Sequence, residues 1–324
     1  MLNGASRVLV TGAAGFVGRH VLCKLAESGK LDVLGVGRGA VSNLPARVKF
    51  FPLDLGNQAD LRSQLADFQP THILHLAAQA SVGRAADEAA ATWKSNVVDL
   101  FHFVEALLAT VISTTFIFIS SSEVYGRAFL SGEPLTEDAA LEPVGSYART
   151  KRVGEEMLAD IFAGGRIRLI VLRPFNHIGP NQDERFVVAS FAAQIARIEA
   201  GLVPPRLETG NLDARRDFLD VRDVARAYSN IIERSNFIEH GAVFNVASGI
   251  PRTICSVLQD LRCMARVQFE VVKAPDRQRP SEVLTARGDS ERLRKSTGWS
   301  PSIAWEQTLS DTLAAARRSY GMDG

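Results

Sequence analysis

The chain has 324 residues, 46% of them hydrophobic, enough to bury a substantial core in one large domain or two. Its 37 basic and 36 acidic side chains leave a net charge of +1, which gives no reason to expect a nucleic-acid partner or a membrane surface. The three cysteines, Cys23, Cys255 and Cys263, are widely spaced and lack a metal-ligand pattern, so they suit free thiols of a reducing compartment. No charged and apolar leader opens the chain and no apolar run approaches a membrane span, so a cytoplasmic protein without a membrane partner is expected.

Residues 7–11 form a short apolar run that predicts a strand. Gly12-x-x-Gly15-x-x-Gly18 follows, and a helical pattern continues to about residue 28. Strand, glycine-rich turn and helix are the context in which such glycines bind a dinucleotide. Gly12 suits the tight turn, Gly15 lets the backbone approach a pyrophosphate, and Gly18 permits close helix–strand packing. Phe16 and Val17 begin the helix whose positive end would stabilise the phosphate charge.

The second predicted strand, 31–36, ends at Gly37 and Arg38. An acidic residue there would bind the ribose 2′-hydroxyl of NAD. Glycine clears the space instead and a guanidinium can pair with a 2′-phosphate, so NADP(H) is expected over NAD(H). A strand over 48–53 leads to Asp54 and Leu55, where a carboxylate could meet the adenine amine. A strand over 72–76 closes with Leu76 and ends at Ala77, Ala78 and Gln79, where small residues would let the dinucleotide lie against the backbone. His72 and His75 on that strand are expected to pack rather than bind metal, because no third ligand accompanies them. A long helix is predicted over 92–109.

Residues 115–119 read as a buried strand that delivers Ser120, Ser121 and Ser122 at its carboxyl end, where open α/β sheets form their sites. A helix over 146–162 then places Tyr147 and Lys151 at i and i+4, on one face. An ammonium held near a phenol favours the phenolate, so Tyr147 is expected to have a lowered pKa and to exchange a proton with a carbonyl or alcohol. Tyr-x-x-x-Lys is common on helices, and the glycine motif is what places a redox cofactor beside it. With a further strand over 168–172, strand and helix alternate through the first half, which implies a doubly wound parallel sheet.

In order and spacing, the three glycines, the strand end at Ser121 and Tyr147-x-x-x-Lys151 resemble the extended short-chain dehydrogenase/reductase family over nearly the whole chain. The resemblance implies an α/β fold with a Rossmann domain, residues 1–175 and 213–247, that holds NADP(H). A smaller C-terminal α/β domain, 176–212 and 248–324, would bind a nucleotide sugar. It also implies that Ser121 is the catalytic hydroxyl, that Tyr147 is the acid/base residue, and that Lys151 supports it and holds the nicotinamide ribose. Asn176, Arg216 and Arg279 would meet the substrate diphosphate, the arginines through bidentate contacts. Ser122, Glu123 and Val187 would complete the substrate site.

The stretches 173–180, 186–190 and 194–197 are similar to a subgroup that reduces GDP-linked 4-keto-6-deoxy sugars with NADPH, which makes that reduction the expected activity. Glu123 departs from the subgroup, where an aspartate stands. A glutamate there resembles the GDP-mannose 4,6-dehydratases, in which it serves in removing the C5 proton and eliminating water, and it places Glu123 among the candidate catalytic residues. A dehydratase or 4-epimerase that keeps its cofactor is therefore the alternative, and a non-catalytic NADP-binding sensor is the third reading. The resemblance further implies a homodimer paired through helices 92–109 and 146–162.

Overall fold

A computed structural model describes residues 6–39, 41, 44–275 and 283–322. Alternation along short apolar strands sets its layers. In β1 (Ser6–Thr11), Val8 and Val10 face one core cluster and Leu9 the opposite one. Strands buried on both faces in this way belong in a parallel sheet covered by helices. Six strands, β1, β2 (Leu31–Gly37), β3 (Val48–Pro52), β4 (His72–His75), β5 (Thr114–Ile119) and β6 (Ile167–Pro174), pair in parallel with a seventh, Ala242–Val246. Their order across the sheet is Ala242–Val246, β6, β5, β4, β1, β2, β3. The doubly wound expectation thus holds, and the direction of winding reverses beside β1, opening a crevice at the carboxyl ends of β1 and β4.

Helix α1 (Phe16–Glu27) and the helix Val221–Arg234 cover one face of this sheet. Helices Gln58–Phe68, Asp99–Thr110 and Gly145–Ile161 cover the other. The long helix expected over 92–109 is interrupted. Ala89–Trp93 and Asp99–Thr110 are joined by a π-helical turn, Lys94–Val98. The wider turn carries Asn96, which is buried. Its Oδ1 accepts from Gln79 N at 2.8 Å, and its Nδ2 donates to Gln79 O at 3.2 Å and Thr150 Oγ1 at 3.0 Å. Those bonds tie the end of β4 to the helix that bears Tyr147.

A second, small sheet lies on the carboxyl side of the crevice. Arg215–Asp220 is its centre, flanked by Pro251–Thr253 and Thr285–Ala286, and Asn176–Ile178 also pairs with it. Helices Val187–Glu199, Ile254–Cys263 and Trp305–Ser319 pack with it around a core of their own. The Asp217 carboxylate pins the central strand: it accepts from Ser248 N at 2.9 Å, Ser248 Oγ at 2.6 Å and Gly249 N at 2.8 Å. Among the described residues no helix is long and apolar enough to cross a membrane.

Candidate active site

The carboxyl ends of the large sheet and the facing small sheet enclose a cleft of about 1410 Å³. One wall is the glycine turn. Gly12 takes φ +66°, and a Cβ there would sit 2.8 Å from Ala77 N, so β1 and β4 come together only with glycine at this place. A Cβ on Gly18 would lie 2.5 Å from Gly12 O, which is the close helix–strand packing expected of it. Helix α1 has no side-chain cap and no acidic residue in its first turn, so amides of that turn remain for an anion. Gly15, Phe16 and Val17 line the cleft here.

Farther along the same wall, a Cβ on Gly37 would stand 3.5 Å from Ala13 N, so position 37 faces the glycine turn. The exposed Arg38 beside it also lines the cleft, as do Asp54, Leu55, Leu76, Ala77 and Ala78. Asp54 Oδ1 accepts from Gly56 N at 3.0 Å, and Ala77 N donates to Thr11 Oγ1 at 3.1 Å. These residues fit a dinucleotide: a backbone cradle that side chains would fill, an uncapped helix end, and an exposed guanidinium along the same wall.

At the centre of the cleft β5, whose six residues are all buried, ends on the three serines. Ser121 is extended, and a 3₁₀ turn, Ser122–Tyr125, follows it. The Ser121 hydroxyl accepts from Glu123 N at 3.2 Å and is hydrogen-bonded to the Tyr147 hydroxyl. Lys151, one turn beyond Tyr147, donates from Nζ to Ile119 O at 2.7 Å and sits 5.1 Å from the centre of the Phe118 ring. The spacing therefore brings the three groups together as expected.

The expected electrostatics are not what the protein alone delivers. Burial pushes the Tyr147 phenol up to about 12, against the opposing hydrogen bond from Ser121. Lys151 is pulled down to about 8, again by burial, with Glu155 acting the other way. Spacing on a helix predicted only the attraction between the two groups, whereas the cost of removing both from water is larger here. Glu155, a turn beyond Lys151, is engaged by Arg173 through Nε at 3.0 Å and Nη2 at 2.7 Å.

The opposite wall carries Asn176, Val187 and Arg216, which reach the cleft from three separate elements. Arg216 Nη1 donates to the carbonyls of Arg215 at 2.9 Å and Val283 at 3.3 Å. Ser122 and Glu123 face the cleft between the walls. Burial raises the Glu123 carboxyl, and the Arg216 guanidinium opposes that rise. Arg279 lies outside the described residues. His72 and His75 are packed as expected: His72 bonds Thr71 Oγ1 and Ser235 Oγ at 3.0 and 2.9 Å, and His75 bonds Thr11 Oγ1 at 3.1 Å. No group of three or more His, Cys, Asp or Glu among the described residues could hold a metal ion.

The cleft lining also includes residues that the sequence did not single out, among them Lys94, His177 and Tyr228. Lys94 lies on the π-helical turn, which a plain helical pattern does not reveal. His177 stacks on Phe16 with ring centres 6.2 Å apart. Tyr228 falls on the buried stripe of the helix Val221–Arg234 and reads there as core. Its one signal is chemical: a phenol on a buried stripe built mostly from valine, alanine and isoleucine.

Residues 8–247 match the model of the NAD dependent epimerase/dehydratase family. The chain is 37% identical to the GDP-6-deoxy-D-mannose reductase of Pseudomonas aeruginosa, over 95% of this chain and 96% of that protein. It is 27% identical to a UDP-glucose 4-epimerase of Rhizobium meliloti, over 91% of this chain and 92% of that one. Among solved structures, RMD from Pseudomonas aeruginosa complexed with NADPH superposes with a TM-score of 0.81 at 35% identity, covering 97% of this chain and 99% of that chain. The UDP-glucose 4-epimerase of Thermus thermophilus in complex with NAD gives 0.83 at 29% identity, covering 96% and 99%.

Proposed function

The chain belongs to the NAD dependent epimerase/dehydratase family, and from that premise we propose that it uses NADPH to reduce the C4 keto group of a nucleotide-linked 4-keto-6-deoxy sugar. GDP-4-keto-6-deoxy-D-mannose, reduced to GDP-D-rhamnose or a close relative, is the favoured substrate. The observation that carries the reading is the hydrogen-bonded pair of Ser121 and Tyr147 at the end of β5, with Lys151 one turn away.

In this reading Gly12, Gly15, Phe16, Val17 and Gly18 hold the pyrophosphate, Arg38 the 2′-phosphate and Asp54, beside Leu55, the adenine amine, while Leu76, Ala77 and Ala78 let the dinucleotide lie against the backbone. When bound, NADPH supplies a hydride. Ser121 and Tyr147 hold the C4 oxygen of the sugar, and Tyr147 gives it a proton as negative charge develops. A phenol held near 12 starts the cycle protonated, the form that reduction needs. Lys151 stabilises the phenolate left behind. Asn176, Arg216 and Arg279 bind the diphosphate, and Val187 lines the sugar site. Residues 1–175 and 213–247 serve the cofactor, and 176–212 and 248–324 cap the sugar. The half-exposed Trp93, Val98 and Phe101 at and beside the π-helical turn support a homodimer paired through helices 92–109 and 146–162.

One observation keeps a second reading open. Glu123 is a carboxyl raised by burial and set against Arg216, which suits the proton removal and water loss of a 4,6-dehydratase. The test is to follow NADPH absorbance with GDP-4-keto-6-deoxymannose, beside GDP-mannose without added cofactor. Oxidation of NADPH by the keto sugar supports the reductase. A keto sugar formed from GDP-mannose with no NADPH consumed supports the dehydratase and makes Glu123 catalytic.

A further inference from the structure

Tyr228 combines three observations. It is wholly buried, at 0% exposure, in the core cluster shared by α1 and the strands β1, β5 and β6. Its hydroxyl has no hydrogen-bond partner among the described residues. It lines the cleft together with Ile119, Ser120 and Pro174, at the ends of β5 and β6, and lies within electrostatic reach of Tyr147. Phenylalanine would fill the same apolar volume without the hydroxyl. A buried hydroxyl left unpaired costs stability, so one that borders a ligand cleft points to a partner that comes with the ligand.

The position of Tyr228 identifies that partner. The turn at Gly12 and the uncapped end of α1 take the pyrophosphate, while Ser121 and Tyr147 hold the reacting oxygen. In that reading a ring that delivers hydride would lie between them, by the ends of β5 and β6. Tyr228 belongs to the helix and core beneath those strand ends, not to the wall of Asn176, Val187 and Arg216 that faces the sugar. We propose that the Tyr228 hydroxyl hydrogen-bonds the carboxamide of the bound nicotinamide ring, acting as a positioning residue that fixes the ring's rotation. A carboxamide presents an acceptor oxygen and a donor nitrogen, and a phenol can meet either. The inference rests on the reading of this cleft as a nicotinamide dinucleotide site.

The experiment compares wild type with Tyr228→Phe by titration calorimetry. The ligands are the matched pairs NADP⁺ and 2′-phospho-ADP-ribose, and NAD⁺ and ADP-ribose, in which the second member lacks nicotinamide. The inference expects Tyr228→Phe to lose about three- to tenfold in affinity for the dinucleotide and nothing for its fragment, the range of one neutral hydrogen bond. Thermal melting of the ligand-free variant is expected to be unchanged or higher, because an unpaired hydroxyl has been removed. Equal affinity of the two proteins for the dinucleotide overturns the inference and leaves the cofactor reading standing. Equal losses for dinucleotide and fragment, or a lowered melting temperature without ligand, give the hydroxyl a structural role and overturn it as well. A wild type that binds no dinucleotide overturns both.

Discussion

On the glycine-rich side of the cleft the lining groups are mostly backbone: the turn at Gly12, the first amides of α1 and the strand end at Ala77. On the facing side they are side chains: Asn176 and Arg216 on a small sheet that Asp217 ties together, and Val187 at the start of a helix packed on it. A backbone cradle demands glycines at fixed spacing within one contiguous segment, and it tolerates few substitutions. A wall of side chains is assembled from separate segments, and it can change its ligand one residue at a time. The contrast gives a physical reason why members of one family can carry the names of different nucleotide sugars, as a GDP-6-deoxy-D-mannose reductase and a UDP-glucose 4-epimerase do.

The pair at the centre, which serves both walls, is where the contrast breaks most severely. Tyr147→Phe is expected to lower kcat by about 10²- to 10⁴-fold, the usual worth of a positioned proton donor, while the Kd for NADPH stays unchanged. Full turnover in that variant would remove the role given to Tyr147. Next in size, Arg216→Ala should raise KM for the nucleotide sugar by roughly 10- to 100-fold with NADPH affinity intact, the scale of a hydrogen bond to a charged group. Arg38→Ala is the mirror case. It should weaken NADPH by a similar factor of about 10 to 100 and leave NADH and the sugar untouched. If both arginine variants weakened both ligands alike, the two walls would not be separable.

The smallest effect lies behind the glycine-rich wall. Burial lowers His75 to about 3 and His72 to about 4, from 6.5. The folded protein keeps both rings neutral where the unfolded chain takes up protons. Their contribution to stability is therefore full above about 6.5 and is lost as pH falls toward 4 and 3. His75→Gln should reduce the acid-side slope of unfolding free energy by about 1.4 kcal/mol per pH unit, one proton's worth, in urea melts between about pH 6 and 5. An unchanged slope would show that His75 titrates normally in the fold.

Much of this arrangement was legible in the sequence, for reasons the two walls make plain. Gly12, Gly15, Gly18 and Arg38 sit in one strand–turn–helix–strand unit, so spacing alone brings them to one crevice. Ser121, Tyr147 and Lys151 needed only a strand end and one helical turn. Asn176 and Arg216 were placed by resemblance, because no local pattern joins residues on separate strands of the small sheet. The pKa of Tyr147 was misjudged because its burial depends on the whole fold, whereas its spacing from Lys151 does not. The π-helical turn at Lys94–Val98 answers to the bonds of Asn96, which a periodic pattern cannot contain. Tyr228 lies among the buried residues of its helix, where a helical period does not set a cleft-lining phenol apart from a core residue.

The central claim, hydride delivery to the C4 carbonyl of a sugar held by Ser121 and Tyr147, is tested most directly with NADPH deuterated at the transferring position. After incubation with GDP-4-keto-6-deoxymannose, mass spectrometry and proton NMR of the product should place one deuterium on C4. Deuterium absent from the sugar, with the dinucleotide still reduced, would contradict the account.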